Sequence, residues 1–191
     1  TLGSLDIARI ELGEVFLGEP VAVALTGTAA LANGEGSATI SATRLGEKEG
    51  RFEITGSYAN ISRVLDLLLR LQEGPDGIAA RTLDLPGRPA VGLEIAGAGP
   101  IDDYGADLTL ATDGQDRLTG RFDLVAAQGG QQITLDIGGD ISPLFAPEYG
   151  AFFGDEARLA AEVITGADGR VDIPELALNA GRIALDGTIA I

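Results

Sequence analysis

The sequence contains no cysteine, histidine, methionine or tryptophan. Without cysteine there is no disulfide, no thiol nucleophile and no thiolate metal site. Without histidine the commonest general base and the commonest zinc ligand are missing, and a Ser–His–Asp triad cannot be built. A chain without methionine, even at position 1, reads as processed or as an internal segment of something longer. Positive charge is also scarce. Thirteen basic residues, twelve of them arginine, face 29 acidic ones, for a formal net charge of −16. The charges are spread along the chain, with no basic block to meet phosphates, so nucleic acid is excluded as a partner. Docking onto an anionic membrane surface is equally unfavourable. No apolar run approaches the ~18 residues of a membrane span.

Hydrophobic residues make up 45% of the chain and are mostly Leu, Ile, Val and Ala, enough for an ordered core. Their spacing is dominated by period two. Val21, Val23, Leu25, Gly27, Ala29 and Leu31 share one parity; Ala38, Ile40 and Ala42 follow, then Phe52 and Ile54. Val91, Leu93 and Ile95 form another run, followed by Leu108 and Leu110, Phe122 and Leu124, and Ile133, Leu135 and Ile137. Leu159, Ala161 and Val163, then Val171 and Ile173, then Ile183, Leu185, Gly187, Ile189 and Ile191 complete the series. A first run, Leu5, Ile7, Ile10 and Leu12, is imperfect. Alternate side chains of a strand point to opposite faces, so this pattern predicts antiparallel sheet with one apolar face. Turn signals separate the runs at Asn33-Gly34, Gly46-Glu47, Asp113-Gly114, Gly129-Gly130 and Asp168-Gly169. The reading is all-β: an antiparallel meander of 11–12 strands in one segment, residues 1–191, with a loose subdivision near 74–87.

Two stretches depart from the alternation. Residues 74–87 predict a short helix near 76–84, started by Pro75-Asp76 and ended by Pro86. Residues 141–154 predict another near 142–153, with Ser142 as cap and Pro143 in its first turn. Residues 61–71 fit either a helix or a strand with Ile61, Leu65, Leu67, Leu69 and Leu71 on one side. The strand is preferred because its neighbours are strands and Ala59-Asn60 suits a hairpin.

Candidate chemistry is sparse. Asp102, Asp103, Asp113, Asp116 and Asp123 do not follow calcium-loop spacing and read as turn residues. The Gly-rich stretch 27–36 lacks phosphate-loop spacing, and none of the six serines lies in a nucleophile-elbow motif. The single lysine, Lys48, sits between Glu47 and Glu49, which disfavours a nucleophilic duty. The chain therefore reads as a non-enzyme without cofactor or metal. The apolar face itself is the remaining candidate. Periodicity allows two arrangements: a closed β-sandwich serving as spacer or scaffold, or a sheet whose apolar face stays open for acyl chains.

Two stretches carry a family resemblance. Residues 83–104, LDLPGRPAVGLEIAGAGPIDDY, give a helix end with Leu-x-x-Pro-Gly-Arg-Pro, an alternating strand, then Gly-x-Gly-Pro-Ile and an aromatic. Residues 138–159, GGDISPLFAPEYGAFFGDEARL, give Ile-Ser-Pro-Leu, Pro-Glu-Tyr and Ala-Phe-Phe-Gly. With the strand grammar of 182–191, they resemble the AsmA-like envelope proteins of the TamB type. The resemblance implies a long periplasmic body of a Gram-negative bacterium, anchored in the inner membrane. That body is a sheet curled lengthwise into an apolar groove (a β-taco), related to bridge-like lipid transfer proteins. It also implies phospholipid acyl chains as cargo and an Omp85-type outer-membrane barrel as partner, contacted by parts outside this chain. The groove would be lined by Val21, Val23, Leu25, Ile40, Phe52, Ile54, Leu65, Leu67, Leu69, Val91, Leu93, Ile95, Leu108, Leu110, Phe122, Leu124, Ile133, Leu135, Ile137, Leu159, Val163, Ile183, Leu185 and Ile189.

Overall fold

The structure, a computed structural model, describes residues 2–14, 19–127, 130–154, 156–166 and 168–190. The strands are β1 (Leu2–Leu12), β2 (Val21–Ala32), β3 (Glu35–Leu45), β4 (Gly50–Ala59), β5 (Val64–Glu73), β6 (Val91–Pro100), β7 (Asp103–Thr112), β8 (Gln115–Ala127), β9 (Gly130–Gly139), β10 (Ala157–Gly166), β11 (Val171–Ala180) and β12 (Ile183–Ala190). All twelve form one antiparallel sheet in sequence order, and it does not close on itself. The closed sandwich that the alternation also allowed is not formed.

Local chemistry sets the meander. Asn33 and Gly34 have φ of 54° and 81°, and Asp113 and Gly114 have 50° and 74°. Two positive φ values in a row match the right-handed twist of a two-residue hairpin, which Asn-Gly and Asp-Gly adopt at least cost. The turn read at Gly129-Gly130 lies partly outside the described residues. Residues 61–71 are strand only from Val64. The turn spans 60–63, and Ile61 is 92% exposed there rather than inside. Arg63, with φ of 56°, completes the reversal that Ala59-Asn60 was expected to make.

The imperfect first run has a structural cause. A bulge between Ile7 and Ile10 shifts the register, so Ile7 pairs with Leu25 and Ile10 with Val23. The extra residue restores the apolar side chains to one face. A second bulge in β11 lies between Ile173 and Leu176 and accommodates Pro174, which cannot donate to a ladder.

The inserts are shorter than expected. Helix α1 spans Ile78–Thr82, and Asp76 precedes it in a turn with φ of 56° rather than starting it. The second insert is a 3-10 turn, Ser142–Leu144, followed by helix α2, Pro147–Phe153. Ser142 is the first residue of that turn, not its cap; its hydroxyl donates to the Gly154 carbonyl. β5 and β9 run the same way, so both inserts leave the same edge of the sheet. Leu85, Ala80 and Val91 form a small buried cluster there, and Leu144 of the second insert packs against it. α2 ends on the β11–β12 turn, where Arg182 N–H donates to Phe152 O at 3.0 Å. Gly181 is required at that contact, because a Cβ would fall 2.6 Å from the Phe153 carbonyl oxygen.

Candidate functional site: the apolar face

Strand register turns the alternation into a surface. One row crosses all twelve strands: Leu5, Gly27, Ile40, Ile54, Leu69, Ile95, Leu108, Gly120, Ile137, Leu159, Leu178 and Leu185. A parallel row runs through Ala29, Ala38, Gly56, Leu67, Gly97, Ala106, Phe122, Leu135, Ala161, Leu176 and Gly187. By this register all 24 expected lining residues fall on one face. Glycines in both rows remove side-chain bulk. At Gly97 the space is taken: a Cβ would lie 2.5 Å from Tyr104 Oη and 2.6 Å from the Gly105 carbonyl oxygen.

Among the described residues only the two short inserts cover part of this face, and no second sheet lies on it. Val21 and Val91 are buried, at the edge held by the inserts, whereas Ile40, Leu185 and Ile189 are exposed. The other nineteen expected lining residues are half-buried. Among the described residues no large side chain is fully buried. The accessible surface is 11675 Å², against about 8,500 Å² expected of a compact monomer of 19.5 kDa. The apolar face is therefore partly sheltered but open.

The opposite face carries the charge as cross-strand pairs. Arg70 stands opposite Glu94 and donates to it at 2.7 Å. Arg121 bonds Asp107 and Asp123, and Arg158 bonds Asp136 at 2.6 Å. The Arg158 guanidinium holds the Asp136 carboxyl below its usual range. These exposed pairs fix register more than they stabilise.

Besides Thr112, which is buried opposite Val91 and whose hydroxyl accepts from Arg117 Nε at 2.7 Å, buried polar groups of the described residues interrupt the apolar face in two further places, and alternation contains the signal for both. Arg44 shares the parity of Ile40 and Ala42, and Glu73 shares that of Leu65 to Leu71. Both lie at the insert edge. Glu73 is buried, and its Oε2 accepts the Ala79 backbone N–H at 2.6 Å, which satisfies the start of α1. Arg44 Nη2 donates to Glu19 Oε1 at 2.7 Å. Glu19 also pairs with Lys48 at 3.3 Å and with Arg81 of α1. Lys48 thus engages Glu19 and, at 2.6 Å, Asp76, rather than its chain neighbours Glu47 and Glu49. Arg81 first, then Arg44, holds the Glu19 carboxyl down to about 2. Lys48, then Arg88, holds Asp76 down to about 2. The second interruption is Tyr104. Its buried hydroxyl has no hydrogen-bond partner among the described residues, and burial, with Asp66 nearby, raises its pKa.

Beneath α1 the face forms a cavity of about 450 Å³. Val23, Ala42, Phe52 and Leu71 of the sheet and Ile78, Ala79, Thr82 and Leu83 of the insert line it, together with Arg44, Gly50, Arg51 and Glu73. That volume is in the range of small-ligand sites. Sequence reading placed Val23 and Phe52 on this face and a short helix near 76–84, but did not bring Arg44 and Glu73 into the same cavity. The sheet and insert sides come from separate stretches of the chain.

No protein-family profile, curated protein or solved structure matches this chain. The site must therefore be read from its own geometry. Among the described residues no group of three or more acidic side chains is placed to hold a metal ion, and no helix is long and apolar enough to cross a membrane.

Proposed function

We propose that the open face is a segment of a lipid-conducting groove that carries phospholipid acyl chains between the inner and outer membranes. The observation that carries this reading is the apolar row continuous over all twelve strands of a single sheet, covered among the described residues only by the short inserts at one side. Stacked ~4.8 Å apart, twelve strands extend such a surface for roughly 55 Å. An exposed apolar surface this large needs an occupant in water. Acyl chains suit it because they need no hydrogen bonds and gain about 0.8 kcal/mol per CH₂ buried. A row of Leu, Ile, Val, Phe and Gly offers no deep polar stop, so a chain can slide from strand to strand. The charged back face keeps the body in water and turns anionic headgroups away from the wrong side.

The resemblance to TamB-type proteins supports the same reading. It adds a periplasmic setting, an inner-membrane anchor and a barrel partner of the Omp85 type, all through regions beyond these 191 residues. It also ties the body to outer-membrane protein assembly.

The test is direct. Purified protein is extracted for phospholipid by mass spectrometry, and transfer between vesicles is followed with a fluorescent lipid. Leu67→Asp and Leu93→Asp are expected to keep the β-sheet circular dichroism while lowering bound phospholipid and transfer at least tenfold. A lipid-free wild type that ignores added phospholipid would overturn the groove and favour a structural spacer. So would variants that unfold because their side chains sit in a closed core.

A further inference from the structure

We propose that the cavity under α1 is a tail-end site: it takes the uncharged methyl end of one acyl chain and leaves the headgroup outside, on the open face. The proposal rests on the acyl-chain reading of that face and adds a fixed position and an orientation. Val23, Ala42, Phe52 and Leu71 on the sheet side and Ile78 and Leu83 on the insert side present hydrocarbon. The charged residues of the wall already have partners within the protein. Arg44 Nη2 donates to Glu19 at 2.7 Å, and its Nη1 is buried out of a ligand's reach. Arg51 has the parity opposite to Phe52 and donates to Glu53, on its own side of the strand, at 2.8 Å. Glu73 Oε2 accepts the Ala79 N–H at 2.6 Å. An entering charge or hydroxyl therefore finds no free partner here, and burying an unpaired polar group is costly. Glu19 and Glu73 beside Arg44 repel an anionic head in addition.

Register gives the chain its path. Ala42 stands opposite Phe52, and Phe52 opposite Leu71. Two residues further along each strand, Ile40, Ile54 and Leu69 belong to the row that crosses the whole sheet. A chain whose end lies under α1 thus continues over Ile40 and Ile54 on apolar side chains. Leu83 lines the cavity yet is 59% exposed, so the insert holds an apolar edge that an occupant covers. A cavity of about 450 Å³ lies low in the range of small-ligand sites, which suits one chain end rather than a whole two-chain lipid. A lipid moving over the open rows is held here by its tail, with its head free.

The test compares ligands with one tail and different ends. Dodecylphosphocholine, dodecanoate and 12-hydroxydodecanoate are titrated, each below its micellar concentration, and the amide NMR shifts of residues 78–83 are followed. The first two are expected to saturate these shifts with affinities within about threefold of each other, because the head stays outside. The 12-hydroxy compound is expected to bind at least tenfold more weakly, because its hydroxyl enters without a partner. Ala42→Phe, which fills the cavity from the sheet side, is expected to abolish the shifts, with the melting curve as the check on folding; the ligand series itself needs no variant. A tenfold preference between the two heads, equal binding of the 12-hydroxy compound, unmoved shifts at 78–83, or a folded Ala42→Phe that binds as before would each overturn the site. Tail-selective binding at 78–83 in a protein that neither retains nor transfers phospholipid would support the site and overturn the conduit.

Discussion

Glu19 gathers Arg44, Lys48 and Arg81, and Asp76 gathers Lys48, Arg81 and Arg88. Together they tie the segment before β2, the β3–β4 loop and α1 to one edge of the sheet. Both carboxyls are held below their ordinary values of 4.5 and 3.8, at about 2. A depressed folded pKa gives stability that is complete above the unfolded value and lost as pH falls through the folded one. The ties should therefore hold at neutral pH and weaken between about pH 4.5 and 2. Melting temperatures measured across that range are expected to fall for the wild type and to fall less steeply for Glu19→Gln, which has already lost its share at pH 7. A parallel pH slope in the two proteins would contradict the arrangement.

A five-residue helix has too few internal bonds to persist in water, so α1 depends on what it touches. Its first turn is satisfied by Glu73, and Ala80 and Leu85 pack with Val91. Leu85 N–H donates to Ala80 O at 2.8 Å, which ends the helix and turns Leu85 under it. Leu85→Ala removes most of that anchor and is expected to cost about 2–4 kcal/mol. Because the cluster is local, the loss should appear as faster amide exchange over residues 78–88, with the distant β9 and β10 ladders little changed. Uniform loss of protection over the whole sheet would mean that the insert is part of one global core. The sequence signalled this insert through Pro75, Pro86 and the apolar spacing. Its start was misplaced because the cap comes from Glu73, a strand residue, not from the Pro-Asp pair.

Each strand's neighbours in the sheet are the strands before and after it in sequence, and among the described residues only the two short inserts reach across to distant strands. Such a molecule resembles a repeat array, in which stability is a sum of local interfaces and opening can be partial. Hydrogen exchange is expected to be graded, slowest in β5, β6 and β7 beside the Ala80–Leu85–Val91 cluster and faster away from it. A single uniform protection level in the sheet interior would argue for a closed, fully cooperative core. The open shape also explains why, in a chain rich in Leu and Ile, no large side chain among the described residues is fully buried.

Sequence alone determined the strands, their order of hairpins and the identity of the apolar side chains, because a period of two and Asn-Gly or Asp-Gly turns are local properties. The departure from strict alternation at Ile7 to Ile10 was visible as lost parity, whereas those at Ile173 to Leu176 and beside Leu110 were not read from the sequence. Only register showed them to be bulges. Tertiary structure alone decided that the sheet stays open, since alternation is the same for a sandwich face and a groove wall. It also decided that Arg44 and Glu73 belong to one cavity. A charged residue on the apolar parity is explained only by partners distant in the chain: Glu19, 25 residues before Arg44, and the start of α1, six beyond Glu73. Those partners are brought together by folding, and no local spacing encodes their contact.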